Sequence, residues 1–353
     1  MIAVALLAWA ALLALAAPGI LSRAAWVDRA PRLAIACWQA LSMSTLISLV
    51  GAGLALAAPT TPFGIRVASV LQACWWALRH GYATPGGVGV ALAGLVLAAG
   101  VAGRAVACLA TGLTRSARQR RSHRKTLRLV GHSRGALPVV VIDHAARAVY
   151  CVPGITGTIV VTSAALDALD PRQLDAVIAH ERAHLSGHHH LLVGVADAWR
   201  RAFPRVPLFQ AAHREITRLV ELAADDTAAG RAGRLPVAAA LAALAGGAVP
   251  AVALAAGGAE ALGRVRRLLH PPRPLGPAVV VATAAAVLLA AAPVAAAGPA
   301  LIASHMGDCQ HPMSVAAMSP ACARAMPQRA HLGHERRALA MTSWDAAIPR
   351  QLF

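Results

Sequence analysis

The sequence predicts a mainly α-helical, multi-pass membrane protein with an α+β domain between its third and fourth spans. Long uncharged apolar runs, basic residues at their borders, and a short-patterned stretch over 129–276 that holds most of the acidic residues carry that prediction. Of 353 residues, 58% are hydrophobic and 14% are charged, against about a quarter charged in soluble domains.

Four runs are long enough to cross an apolar core of about 30 Å at 1.5 Å per residue: about 1–22, 33–58, 86–109 and 277–303. The first is read as an uncleaved helix, because no basic residue precedes it as a signal peptide requires. Orientation follows from the cations. Arg23, Arg29 and Arg32 border the first loop, while the second has only Arg66 and Arg79. Seven cations fall in 114–128, and Arg264, Arg266, Arg267 and Arg273 precede the fourth run. The expected arrangement has an external N-terminus and three spans within 1–113. A basic linker at 114–128 leads to a cytoplasmic domain at 129–276, and beyond the fourth span lies an extracytoplasmic tail at 304–353.

The formal charge of +18 could signify nucleic acid, but these cations flank apolar runs and no nucleic-acid-binding motif is present. A lipid bilayer is the expected partner, with no direct nucleic-acid binding. The six cysteines form no CxxC pair, which argues against a cysteine-based metal site. Cys309 and Cys322 either pair in an oxidising compartment or remain thiols.

Within the domain, 138–142 and 148–152 read as a strand and its return, and 158–162 as a third strand. Asp170-Pro171-Arg172-Gln173 marks a helix start, with Asp at the N-cap, Pro at N1 and Gln at N3 able to close the cap. A second helix is expected over about 210–229, ending at Gly230. Residues 235–259 are uncharged, yet a crossing there would put the Arg264–Arg273 cluster outside, so a helical pair inside the domain is expected.

The first helix carries His180-Glu181-Arg182-Ala183-His184, an HExxH motif. Four-residue spacing puts both imidazoles on one face a turn apart, and Glu181 borders that face as a general base for a water at the metal. His190 completes a metzincin-like string through Gly187, but no methionine lies between Met43 and Met306 to form the required turn. His188 stands about 12 Å of helical rise from His180, too far to share an ion. His188, His189 and His190 are therefore read as polar residues at a helix end. Glu221 is the better third ligand, since His₂Glu is a catalytic zinc shell with an open position. Asp225, one turn on, would accept the free N–H of a ligand histidine. One zinc ion per chain is the expected cofactor.

These residues resemble the BlaR/MecR-type membrane metallopeptidases, relatives of the HtpX-type proteases. The resemblance rests on AVIAHERAH (176–184), ELAADD (221–226) and YCVPGITGTIVVTSAALDAL (150–169), and on the order of spans and domain over 1–303. It implies a zincin-like domain with His180, His184 and Glu221 as ligands, Glu181 as base and Asp225 in support. It further implies a protease that cleaves a cytoplasmic protein such as a transcriptional repressor, on a signal from outside. Quality control of membrane proteins, as in HtpX, is the alternative, and a non-catalytic receptor is the third reading. The tail departs from the antibiotic-sensing members: it is 50 residues long and lacks Ser-x-x-Lys followed by Lys-Thr-Gly. His213, Arg231 and Arg234 are candidates for stabilising the oxyanion, and strand 158–162 for pairing with an extended substrate.

Overall fold

The computed structural model describes residues 2–57, 87–133, 139–154, 157–246, 251–273, 275–277 and 281, with backbone only over 251–259. All belong to one unit, Met1–Leu301, and a second unit, Ile302–Phe353, lies outside the described residues. The expected second loop and nearly all of the fourth run, 277–303, also fall outside them.

Among the described residues, three helices are long and apolar enough to cross a membrane: α1 (Ile2–Ser22), α2 (Pro31–Ala57) and α3 (Gly87–Val130). Each matches an expected run, but α3 does not stop at 109. It continues as one helix of 44 residues through the basic stretch read as a linker. Arginine and lysine are good helix formers, so the change from apolar to basic alters the solvent the helix suits without breaking it. Helix α2 lies between α1 and α3. Where α2 crosses α3, a Cβ on Gly53 would stand 2.6 Å from the Gly94 carbonyl, so only glycine admits this approach.

After α3 comes a four-stranded sheet: β1 (His132–Ser133), β2 (Val140–Ile142), β3 (Val149–Val152) and β4 (Thr158–Thr162), in the order β1-β2-β4-β3. β2, β3 and β4 lie where the sequence placed its three strands and β1 is an addition, but the pairing corrects the expected hairpin. β4 inserts between β2, to which it is parallel, and β3, to which it is antiparallel. Ile159, Val160 and Val161 are all buried, so β4 has two faces to cover and takes an interior position. Half-exposed Tyr150 and Cys151 remain on the edge strand β3.

Among the described residues six helices follow: α4 (Ser163–Ala168), α5 (Pro171–Ser186), α6 (His189–Ala202), α7 (Pro207–Ala232), α8 (Arg234–Ala245) and α9 (Ala251–Leu269). The last two are the helical pair expected over 235–259.

The largest core joins the membrane helices to the domain. Trp38 on α2 belongs to one buried cluster with Leu208, Phe209, Ile216 and Leu219 of α7 and Trp199 of α6. Polar ties reinforce it. Asp28, between α1 and α2, pairs with Arg218 of α7 at 2.7 Å, and its carbonyl accepts from Arg267 of α9 at 3.1 Å. Arg32 donates to Thr227 of α7 at 3.0 Å, and Arg104 of α3 donates to the Ala202 carbonyl at the end of α6. The α1–α2 loop and the helices α7 and α9 thus lie on one side of the apolar spans.

Candidate metal centre

Helix α5 starts as its sequence requires. The Asp170 carboxylate accepts from the Gln173 N–H at 2.9 Å, and the Gln173 side chain accepts from the Asp170 N–H at 3.1 Å. Ala176 and Ala179 then pack with Ala228, Val237 and Leu268. Such small side chains let α5 lie close to α7, near enough for a glutamate on one to reach histidines on the other.

The three expected ligands converge. His180 Nε2 and His184 Nε2 are 3.0 Å apart. Glu221 brings Oε2 to 3.6 Å from His180 Nε2 and Oε1 to 3.6 Å from His184 Nε2. One donor atom from each lies within 4.8 Å of the others. A tetrahedral shell with bonds of about 2.0–2.1 Å separates its donors by about 3.3 Å, so the trio fits a zinc ion with small adjustments.

Behind the ligands, both histidines are held. His180 Nδ1 lies 3.0 Å from Oδ1 of Asp225, which is 1% exposed, although its N–H does not point squarely at that oxygen. His184 Nδ1 lies 3.0 Å from His189 Nδ1. Burial, with the neighbouring His184, lowers the His189 pKa to about 4, so this ring stays neutral and can accept the His184 N–H. Burial alone would depress His180, but the Asp225 and Glu221 carboxylates beside its two ring nitrogens outweigh it and raise its pKa to about 9.

His189 corrects the reading of three polar histidines at a helix end. The helix breaks at Gly187, and His188 takes a left-handed conformation with φ 49°. His189 opens α6, buried against His184. Gly187 itself has an ordinary φ of −79°, so its freedom is not what the turn needs. A Cβ there would collide with His189 Nε2 and stand 2.7 Å from its Cδ2. His190 has Arg120 and His188 as its charged neighbours and takes no part in the cluster.

Glu181 faces β3, where the Cys151 thiol and backbone N–H are its hydrogen-bond partners. Burial raises the Glu181 pKa, with His180 and Cys151 opposing. The same burial, with Glu181 adjacent, pushes the Cys151 thiol up to about 12.

Three sequence candidates for a cation or donor near the chemistry are not at the site. His213 is surrounded by Asp197, Arg200, Arg201 and Arg214. Arg231 and Arg234 lie exposed at the far end of α7 and the start of α8. The cation that reaches the cluster is Arg264 of α9. It binds Asp225 through Nε and Nη2 at 2.7 Å each, and its Nη1 lies 3.0 Å from Glu221 Oε2. Strand 158–162 is also ruled out as a free edge, since β4 is paired on both sides.

The profile of Peptidase family M48 matches residues 116–198, from within α3 to within α6. The match contains His180, Glu181 and His184 and stops before Glu221. No curated protein and no solved structure matches the chain. The family comprises metal-dependent peptidases, typically zinc enzymes, and includes both the HtpX and the BlaR-type membrane proteins. The chain is thus similar to Peptidase family M48 over the segment that contains α5, and among the described residues it combines three apolar helices with a His-His-Glu cluster.

Proposed function

We propose that this protein is an integral-membrane zinc endopeptidase, with His180, His184 and Glu221 as ligands and Glu181 as general base. The convergence of three donor atoms beside Glu181 carries the reading. A bound zinc ion would polarise the scissile carbonyl and make a water more acidic. Glu181 would take that water's proton and pass it to the leaving amine, a role suited to a carboxylate whose pKa burial has raised. Asp225 and His189 would hold the ligand rings in one orientation and tautomer. An extended substrate would lie along β3, whose outer edge pairs with no other strand among the described residues.

The active site would face the cytoplasm. It shares a side with the α1–α2 loop, which is basic, and basic loops stay inside. A signalling role, with a cytoplasmic repressor as substrate, follows the BlaR/MecR resemblance. One observation favours the quality-control alternative: α7, which carries Glu221, packs directly on α1 and α2, so the site stands at the membrane surface.

In detergent, wild-type protein should hold one zinc, and His180→Ala, His184→Ala and Glu221→Ala should not. Glu181→Gln should keep the metal and lose proteolysis. Zinc bound normally by Glu221→Ala would overturn the ligand set. Proteomics of cells carrying the wild-type or the Glu181→Gln protein separates the two roles: one stabilised soluble protein indicates signalling, many stabilised membrane proteins quality control.

A further inference from the structure

Arg264 does more than dock α9. Its guanidinium uses three nitrogens on two carboxylates one helical turn apart: Nε and Nη2 on Asp225, and Nη1 on Glu221. Those two carboxylates are the ones that contact His180, at Nδ1 and Nε2 respectively. The Arg264 side chain is 14% exposed and Asp225 is 1% exposed, so the group operates largely out of water. A planar fork suits this arrangement, because it can bond one carboxylate at two points and still reach a second. A lysine at the same place presents a point charge and cannot fix both.

The neighbouring Arg267 supplies a built-in comparison. It makes a two-point bond of its own, through Nη1 and Nη2 at 2.7 Å each, to Asp226, the residue beside Asp225. Both arginines therefore fasten α9 to α7, but only Arg264 touches residues of the metal cluster.

We infer that Arg264 is a positioning residue for the metal: it fixes the rotamers of Glu221 and Asp225 and thereby presets the ligand set. The inference rests on the reading of His180, His184 and Glu221 as a metal site. Without the guanidinium, Glu221 and Asp225 would keep only their contacts to the histidines, with nothing fixing the two carboxylates relative to each other. Glu221 would then turn away, and the ion would have to reassemble the ligand set on binding.

The test is zinc affinity of the full chain in detergent, measured by competition with a chromophoric chelator, together with unfolding of the zinc-free protein. Arg264→Ala should bind zinc about 10–100-fold more weakly, the range seen when outer contacts of a metal site are lost. Arg264→Lys should also bind more weakly, which keeps the inference testable if the alanine variant does not fold. Arg267→Ala should lower the unfolding temperature but cause none of the roughly 10–100-fold loss of affinity expected of Arg264→Ala, because it does not touch the cluster. Millimolar guanidinium should restore much of the affinity of Arg264→Ala and none of its docking geometry elsewhere. Equal affinities in wild type, Arg264→Lys and Arg267→Ala would overturn the inference while leaving the metal site standing. Failure of the wild type to bind zinc would instead overturn the metal site itself.

Discussion

His189 Nδ1 stands 3.0 Å from His184 Nδ1, on the side of the ring away from the converging Nε2 atoms. A neutral His189 thus fixes which His184 nitrogen carries the hydrogen, leaving Nε2 free for an ion. His189→Ala should weaken zinc binding by about 10–100-fold. His190→Ala, whose ring faces Arg120, should bind as wild type does. Equal binding by both variants in a chelator competition would remove the role given to His189.

Gly187→Ala tests the same contact from the backbone. A methyl there meets the His189 ring and comes within 3.0 Å of the Ala183 carbonyl. Overpacking of this kind costs about 1–3 kcal/mol, so a lowered unfolding temperature is expected even in the zinc-free protein. Unchanged unfolding would mean that the α5–α6 break is looser than the contact implies.

Asp225 and Asp226 should separate metal binding from docking. Asp225→Ala removes the partner of His180 Nδ1 and of Arg264, so zinc affinity and stability should both fall. Asp226→Ala frees Arg267 only, and should loosen α9 with little change in affinity. Zinc titration and thermal unfolding of the two variants read these outcomes separately.

Proton release gives a fourth expectation. The His180 pKa is raised from 6.5 to about 9 in the zinc-free fold. Its favourable protonation is complete below 6.5 and is lost as pH rises through about 9, so it supports the zinc-free protein most at low pH. A ligand histidine must be neutral, and zinc uptake at pH 7 should therefore release about one proton from this residue. Apparent affinity should climb with pH toward 9. Calorimetry in buffers of different ionisation enthalpy measures the release, and a value near zero would show that His180 is already neutral.

Much of the local structure was readable from neighbouring residues. The α5 start depends on Asp170, Pro171 and Gln173, all within four positions, and it formed as written. The strands were legible for the same reason, as short β-branched runs closed by turn residues. Their order was not, because whether β4 lies inside or at the edge depends on what covers both of its faces. His180, His184 and Glu221 could be proposed together because a helix fixes the spacing of the two histidines and Glu221 lies on the next predicted helix, and their side chains do converge. Arg264 was invisible as a site residue. It lies 39 positions from Asp225, and in sequence it counts as one more cation before an apolar run. That run's flanking charge is also less than it looked, since Arg264 and Arg267 are both spent in ion pairs.

The shared core of α2 and α7 has a practical consequence for anyone preparing the protein. A soluble fragment beginning after the third span would strip the cover from Leu208, Phe209, Ile216 and Leu219. Each such side chain returned to water costs about 1.5–3 kcal/mol, and together they would form an adhesive surface on the helix that holds Glu221. The half that carries His180, His184 and Glu221 should precipitate, or lose the convergence of those side chains, when expressed without α1 and α2. Co-expressing those two helices as a separate piece should rescue it, because the α1–α2 hairpin serves that half as part of its interior.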